Sequence, residues 1–158
     1  MKFFADRMLG KLAKKLRLLG FDTLYFNNIE EKSILELLHE EERILLTRDR
    51  SLHSRALKAG IDSYLLKSNH WNSQLRSVIQ RFRLTEDNFH LFYRCSECNA
   101  ELEEADAASV SGLVPDFVLY TNDKFMRCPG CGRIYWKGTH LEKIIKSLQS
   151  VINLTRKD

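Results

Sequence analysis

Several features that define other protein classes are missing from this sequence. It has no apolar stretch near the roughly 20 residues that a membrane-spanning helix needs, and the segment from Met1 to Asp6 lacks the long apolar part of a secretion signal. The glycine patterns of P-loop and dinucleotide-binding proteins do not occur, and GxSxG and HExxH are also absent. We therefore expect a cytoplasmic protein that binds neither a membrane nor a nucleotide cofactor.

The composition is that of a folded protein with a modest positive charge. The chain has 158 residues, of which 44% are hydrophobic, and this suffices for one domain of ordinary size plus a small appendage. Lys and Arg number 25 against 21 Asp and Glu, which gives a formal net charge of +4. Such an excess allows an acidic partner such as nucleic acid without requiring one. The position of the charges therefore matters more than their sum.

Cysteine and proline are scarce and lie only in the C-terminal part. Both prolines, all four cysteines and four of the seven glycines follow Arg94. Cys95 and Cys98 form one CxxC pair, and Cys128 and Cys131 form another after 29 intervening residues. Two such pairs match the spacing of a closed, structural Zn²⁺ site with four thiolate ligands. Four buried thiols at chance spacing and a redox motif are the alternatives, although one CxxC pair would suffice for redox chemistry.

The N-terminal part shows the pattern of a parallel sheet. Residues 44–49 are an uninterrupted apolar run that ends in a hydroxyl, a cation and a carboxylate, as in a strand buried on both faces. Strand-like and helix-like segments alternate four times over about eighty residues. The sequence predicts an α/β domain over residues 1–90, with helices on both faces of a parallel sheet. A zinc-binding module with a terminal helix is predicted over residues 91–158.

Acidic residues follow the predicted strands. Asp6 and Asp49 each end a strand, and the carboxyl ends of parallel strands share one edge of a sheet, where ligands bind. They are predicted to hold Mg²⁺ or Mn²⁺, which prefer carboxylate oxygens. Glu30 and Glu31, at the start of the second predicted helix, are candidates for a third ligand. The structural alternative is that Asp caps a helix and that Glu is favoured near a helix N-terminus.

Basic and aromatic side chains near these acids are candidate RNA contacts. Some lie on the polar face of the first predicted helix, some flank Asp49, and some follow the second CxxC pair. Guanidinium and ammonium groups would hold phosphate oxygens, and aromatic rings would stack on unpaired bases. Neutralisation of nearby acids and core packing are the respective alternatives. The candidates are Arg7, Lys11, Lys14, Arg48, Arg50, Tyr135, Trp136 and His140.

A set of motifs together resembles the Mut7-C RNase domain family over about residues 3 to 142. The motifs are Asp6-x-Met8-Leu9-Gly10-Lys11-Leu12-Ala13, Leu16-Arg17-Leu18-Leu19-Gly20, Arg43-Ile44-Leu45-Leu46-Thr47-Arg48-Asp49, Arg94-Cys95-x-x-Cys98-Asn99, and Cys128-Pro129-Gly130-Cys131-Gly132 with Tyr135-Trp136-x-Gly138-x-His140. The resemblance implies a PIN-like domain with a C-terminal zinc ribbon. It also implies metal-dependent RNA cleavage by an acidic cluster that contains Asp6, Asp49 and either Glu31 or Glu30.

The function predicted from these features is that of a Mg²⁺- or Mn²⁺-dependent endoribonuclease acting on single-stranded or structured RNA. A fourth acid, which the resemblance implies after the last parallel strand, has no counterpart because Ser68 and Asn69 occupy that region. An RNA-binding adaptor with weak or no catalysis is therefore an alternative. A zinc-stabilised module that makes only protein contacts is a third possibility.

Overall fold

The computed structural model describes residues 1–138 and 141–149. Strands and helices alternate four times in the N-terminal part. The elements are β1 (Lys2–Ala5), α1 (Gly10–Leu18), β2 (Asp22–Tyr25), α2 (Glu31–Glu41), β3 (Ile44–Thr47), α3 (Arg50–Lys58), β4 (Ser63–Leu65) and α4 (Trp71–Arg81). A 3₁₀ turn at Glu86–Asn88 follows. The predicted alternation of strand and helix is confirmed.

The four N-terminal strands form one parallel sheet in the order β2-β1-β3-β4. In this register Ala5 of β1 lies opposite Leu46 of β3. The next positions along the two strands, Asp6 and Thr47, are therefore neighbours at the carboxyl edge. Because β1 and β3 are the central strands, this edge lies between the helices that cover the two faces.

Phe3 and Phe4 show how the two faces of the sheet are covered. Successive strand residues point to opposite faces, and both phenylalanines are fully buried. Phe3 belongs to a core cluster with residues of α1 and α4, whereas Phe4 packs with residues of α2 and α3. The predicted α/β architecture with helices on both faces is therefore confirmed.

The C-terminal part has an antiparallel sheet of its own. Its elements are β5 (Glu103–Ala105), α5 (Ala107–Val110), α6 (Asp116–Thr121), β6 (Phe125–Arg127) and β7 (Ile134–Tyr135), with the strands in the order β5-β6-β7. We call residues 93–138 the cysteine module. Its core is small and centres on Phe125 with three valines. A module this small needs a further source of stability, such as a bound metal.

The segment after the cysteine module packs back onto the parallel sheet domain. Residues 141–149 are helical and form α7, of which Ile144 and Leu148 join the core cluster of α1 and α4. The predicted terminal helix is therefore present in the described part, and its predicted continuation to Leu154 lies outside the described residues. The division at residues 90 and 91 stays a prediction. Across the described ranges, no helix has the length and apolar character to cross a membrane.

Candidate active site and metal centre

Three carboxylates from different elements line one cavity of about 90 Å³ at the carboxyl edge of the parallel sheet. They belong to Asp6 after β1, Glu31 at the start of α2, and Asp49 before α3. We call this space the acid cavity. Arg7 and Arg55 also line it, so two cationic groups face the same space as the carboxylates. Carboxylate oxygens are the ligands that Mg²⁺ prefers, and guanidinium groups bind anionic oxygens.

Asp6 is fixed by hydrogen bonds on both carboxylate oxygens. The buried Thr47 hydroxyl donates to Asp6 Oδ2 over 2.8 Å, and the Arg7 amide donates to Asp6 Oδ1 over 2.9 Å. Thr47 Oγ1 also accepts a bond from the amide of Asp49 over 3.0 Å. One hydroxyl therefore connects the two aspartate positions across β1 and β3.

The helix-cap explanation holds for Asp49 and is wrong for Asp6. Asp49 Oδ1 accepts bonds from the amides of Ser51 and Leu52, over 2.9 Å and 3.2 Å, and so caps α3. Helix α1 begins only at Gly10, and Asp6 makes no cap bond to it. Asp6 is nevertheless buried, with a relative exposure of only 9%. A carboxylate that is buried at the edge of a cavity, and that caps no helix, requires an explanation other than helix stability.

Glu30 and Glu31, which the sequence alone could not distinguish as ligands, lie in different environments in the structure. Glu31 lines the acid cavity, and its carboxylate forms an ion pair with Arg55 of α3. Glu30 precedes α2, is exposed, and makes no side-chain cap bond to that helix. Glu31 is therefore the glutamate that lies with Asp6 and Asp49.

The predicted RNA-contacting side chains do not all lie together. Arg7 lines the acid cavity, whereas Lys14, Tyr135 and Trp136 line a separate cavity beside α1. The remaining basic candidates, Lys11, Arg48 and Arg50, are exposed and line neither cavity. His140 lies outside the described residues.

The four cysteines are positioned to bind a metal. Their sulfur atoms all lie within 4.8 Å of one another, and no other such group of three or more possible ligands occurs in the described ranges. Cys95 Sγ and Cys131 Sγ are 3.6 Å apart, and Cys98 Sγ and Cys128 Sγ are 3.3 Å apart. Metal–sulfur bonds of about 2.3 Å in a tetrahedron give sulfur–sulfur edges of about 3.8 Å. The cluster therefore has the dimensions of a tetrahedral thiolate site.

The sulfur atoms have hydrogen-bond partners that the sequence did not reveal. Tyr135 Oη lies 3.1 Å from Cys95 Sγ and accepts a 3.1 Å bond from the Ser96 amide. Burial and the neighbouring Cys95 raise the pKa of the Tyr135 hydroxyl to about 12, so it is protonated at neutral pH and can donate to a thiolate at Cys95. A bond from the Arg133 amide lowers the pKa of Cys131 to about 6. The Arg133 bond therefore favours the thiolate of Cys131, whereas burial raises the pKa of Cys98 to about 12.

The first cysteine pair docks on the edge of the parallel sheet through Arg17. This buried side chain donates from Nε to the carbonyl of Thr23 in the edge strand β2, over 2.8 Å. Its Nη1 donates to the carbonyls of Ser96 and Glu97, each over 3.2 Å. One guanidinium therefore joins β2 to the backbone between Cys95 and Cys98. Arginine within a leucine-rich helix segment was the available sequence signal for a buried polar partner.

Asn99 makes a second set of bonds between the cysteine module and β2. Its Oδ1 accepts from the Thr23 amide over 3.0 Å, and its Nδ2 donates to Asp22 Oδ1 over 2.7 Å. The side chain thereby satisfies a backbone donor on the exposed edge of the sheet, a position where unpaired groups invite association. The buried Arg43 also binds Asp22 Oδ1, over 2.9 Å. Loss of this docking would therefore leave several buried polar groups without partners.

Asp22 gives this docking a defined pH dependence. Burial favours a higher pKa for its carboxyl, but bonds and charge from Arg43, Asn99 and Arg94 outweigh burial and hold the pKa below its ordinary value. A depressed folded pKa stabilises the protein above the unfolded pKa of about 3.9, and the contribution is lost as pH falls through the folded pKa.

We expect Asp22→Asn to lower the free energy of unfolding at neutral pH by about 2 kcal/mol. As the pH falls below about 4, the variant should also lose less stability than the native chain. Urea unfolding at a series of pH values measures both effects. If the free energy of unfolding of the variant fell as steeply with decreasing pH as that of the native chain, the result would contradict this account of Asp22.

Comparison with known proteins now gives the family. The family model described as the Mut7-C RNAse domain matches residues 1–148. The chain belongs to the Mut7-C RNase domain family. This match covers both the parallel sheet with its acid cavity and the four cysteines. The family resemblance inferred from the motifs is therefore confirmed, and it supports a nuclease-type function.

A relative of this Mut7-C chain is the human protein named exonuclease mut-7 homolog. The two are 30% identical over 102 residues, which is 61% of this chain and 11% of the human protein. The chain thus matches a small part of that relative's length. No solved structure matches the Mut7-C chain. The roles of individual residues therefore have to be argued from the geometry of the chain itself.

Proposed function

We propose that this Mut7-C chain is a metal-dependent endoribonuclease whose catalytic Mg²⁺ or Mn²⁺ is held by Asp6, Asp49 and Glu31. The observation that carries the proposal is the acid cavity, which these carboxylates line at the carboxyl edge of a parallel sheet. Within the described residues they do not form a ready group of ligands as the four cysteines do, so Glu31 would have to turn from Arg55 toward a bound cation. This edge is where open α/β sheets bind their ligands. The description of the family as an RNAse domain supports RNA as the substrate class.

The donor atoms around the cavity suit a hard cation. The α3 cap uses Asp49 Oδ1, so the other oxygen can serve as a ligand. Glu31 is paired with Arg55, and both side chains are partly exposed. An exposed ion pair is worth only about 0–1 kcal/mol, so the Glu31 carboxylate could exchange Arg55 for a divalent cation at small cost.

The protein side chains then act around the bound phosphate. When bound, the divalent cation lowers the pKa of a water molecule and stabilises charge on the departing oxygen. Thr47 keeps Asp6 in one orientation, and Asp49 is kept in place by its cap bonds. Arg7 lies beside the cavity, and Arg55 becomes available when Glu31 leaves it. These two guanidinium groups would hold the non-bridging phosphate oxygens.

We further propose that the four cysteines hold a structural Zn²⁺. Four thiolates fill a tetrahedral coordination sphere and leave no position for water, so this ion stabilises the cysteine module and takes no part in hydrolysis. Reduced thiolate ligands suit a reducing compartment, which supports the cytoplasm as the location. The module also places Tyr135 and Trp136 in one cavity with Lys14 and Lys15 of α1.

Tyr135→Phe should weaken Zn²⁺ binding about tenfold, because a hydrogen bond to a ligand sulfur is a contact whose loss costs that much or more. The ring is retained, so core packing is preserved. Competition with a chelator, or the absorption of the Co²⁺-substituted protein, measures the change. Tyr120→Phe is the matched control, because Tyr120 is 88% exposed and contacts no cysteine. Equal affinity in the two variants would contradict the proposed bond.

An adaptor that binds RNA without cleaving it is the second candidate. It is favoured by Ser68 and Asn69, which stand where a fourth acid is implied by the resemblance. Ser68 instead binds locally to the start of α4, accepting from the amide of His70 over 3.1 Å and, through its carbonyl, from Gln74 Nε2 over 2.8 Å. Neither Ser68 nor Asn69 lines the acid cavity.

Cleavage of a circular single-stranded RNA by the zinc-loaded chain tests the proposed function. A circular substrate has no ends, so only an endonuclease opens it. We expect opening with Mn²⁺ or Mg²⁺ and none without them. Asp49→Asn should abolish it and keep the fold, because Asn caps helices about as well as Asp. If circular RNA and linear RNA of the same sequence both stay intact under all metal conditions, while salt-sensitive binding is retained, the result would favour the adaptor. Cleavage of the linear RNA alone would indicate an exonuclease and contradict the proposed endonuclease.

A further inference from the structure

A second cavity, of about 380 Å³, lies between α1 and the cysteine module. We call it the α1 cavity. Its volume falls within the range of about 300–1,000 Å³ that is typical of small-ligand pockets. Most of its wall is apolar or aromatic, and cationic side chains stand beside the apolar part. The side chains that matter below are Lys14, Lys15, Leu18, Arg94, Tyr135 and Trp136.

The aromatic wall of the α1 cavity is held in place by the metal centre. The hydroxyl of Tyr135 bonds to Cys95 Sγ and to the Ser96 amide, so its ring cannot turn away from the cavity without losing both contacts. Trp136 packs against the core of the cysteine module and remains half-buried. A rigid aromatic wall beside positive charge is the combination that binds unpaired bases through stacking.

Three basic side chains form the cationic side of the cavity, and two of them also have acidic partners. Lys14 pairs with Glu97 over 3.2 Å, and Lys15 lies over the ring of Trp71 at 4.8 Å. Arg94 is a third cation of the lining, and its guanidinium lies 3.9 Å from Asp22 and 3.7 Å from Glu101. Burial and the neighbouring charges of Lys14 and Lys11 lower the pKa of Lys15. An incoming phosphate would relieve this repulsion between like charges.

Helix α1 connects the two cavities. Arg7, just before the helix, lines the acid cavity, and Lys14 and Lys15 line the α1 cavity. Lys11 lies between them and is exposed. A rise of about 1.5 Å per helical residue separates Lys11 from Lys15 by about 6 Å along the helix axis. Positive charge therefore continues from one cavity to the other over a short distance.

We propose that the α1 cavity receives an unpaired nucleobase of an RNA strand whose phosphates follow α1 from the acid cavity. The substrate would then be single-stranded beside the cleaved bond, because a base within a duplex cannot leave its stack to enter a pocket without added cost. The position of the cleaved bond rests on the proposed function, whereas the base site rests on the α1 cavity alone.

Leu18→Trp tests the base site by filling the α1 cavity from the helix. Binding of labelled single-stranded oligouridine is measured by fluorescence anisotropy in the zinc-loaded chain without added Mn²⁺ or Mg²⁺. We expect about tenfold weaker binding, the size of the loss of one stacked base, and unchanged binding of a duplex of equal length. Phe117→Trp, on the exposed face of α6, is the matched control and should bind both RNAs as the native chain does.

A cross-linking experiment on the native chain gives a readout that does not depend on a variant. Single-stranded RNA with 5-iodouridine is irradiated in the complex, and the modified peptide is identified by mass spectrometry. The expected adduct lies at Tyr135 or Trp136. Adducts only at other residues, or equal oligouridine affinity in Leu18→Trp and the native chain, would overturn the base site. If the Leu18→Trp measurement and the cross-link both give the expected result while circular RNA stays intact, the base site stands and only the proposed endoribonuclease activity is contradicted.

Discussion

Asp6→Asn is expected to reduce metal-dependent RNA cleavage about 10³-fold, measured as the initial rate of opening of circular RNA at saturating Mn²⁺. The variant removes one of the carboxylates that hold the proposed catalytic cation. Metal catalysis supplies several kcal/mol of transition-state stabilisation, and a loss of about 4 kcal/mol corresponds to a factor of about 10³. The fold should survive, because Asn occupies the same volume and can still accept the bond from Thr47.

The matched control for Asp6→Asn is Asp62→Asn. Asp62 is exposed and precedes β4, so it lies at the opposite edge of the same sheet. Its substitution removes the same charge as Asp6→Asn. Its cleavage rate should equal that of the native chain. RNA affinity without added divalent cation should be similar in both variants. If Asp6→Asn cleaved RNA at the rate of the native chain, the carboxylate of Asp6 would not be part of the catalytic machinery.

Removal of Zn²⁺ by a chelator is expected to unfold the cysteine module and to loosen the edge of the parallel sheet. Structural Zn²⁺ contributes about 10–16 kcal/mol in small zinc domains, which is comparable with the whole stability of about 5–15 kcal/mol of a folded protein. The apolar core of the module consists of Val110, Val114, Val118 and Phe125, with a few half-buried neighbours. Such a core is too small to replace the metal.

Hydrogen exchange with and without chelator measures this effect by region. Residues 93–138 should lose protection in the metal-free chain, and the amide of Thr23 should follow because its acceptor is Asn99 of the module. Amides in the centre of β1 and β3 should stay protected, since their partners lie within the parallel sheet. Addition of Zn²⁺ should restore the pattern. Unchanged protection of residues 93–138 after complete removal of the metal would contradict a structural role for the ion.

Local sequence patterns sufficed for the parallel sheet and the cysteine cluster. The apolar run at residues 44–46 and the alternation of strand and helix depend on neighbours in the chain, which the sequence displays directly. The CxxC spacing likewise reports ligands that lie within one turn of each other. Both features are found in the structure.

Contacts between distant parts of the chain could not be predicted in the same way. Asp6 directly follows β1, whereas Asp49 comes two residues after β3, and only Asp49 caps a helix. Glu31 differs from Glu30 because Arg55, 24 residues away, faces it. The bond between Thr23 and Asn99 joins residues 76 positions apart. Such pairs depend on how helices and modules pack on the sheet, and no periodicity in the sequence reports that packing.

The helices between the two cysteine pairs were also missed at the sequence level. Helices α5 and α6 have only four and six residues, so they are too short to show a helical period. They place Phe117 and Tyr120 on the surface, at 69% and 88% exposure. The Asp106 side chain caps α5 through the Ser109 amide over 2.8 Å, and Pro115 directly precedes α6, so both helices had a local start signal.

Anomalous diffraction from crystals of the zinc-loaded chain soaked in Mn²⁺ tests most directly whether the three acids hold a catalytic cation. We predict a Mn²⁺ peak in the acid cavity, coordinated by Asp6 and Asp49, with Glu31 turned from Arg55 toward the ion. The peak should disappear in Asp6→Asn crystals, while the zinc peak at the four cysteines remains. Absence of Mn²⁺ from the acid cavity, at a concentration that supports cleavage in solution, would contradict the proposed site.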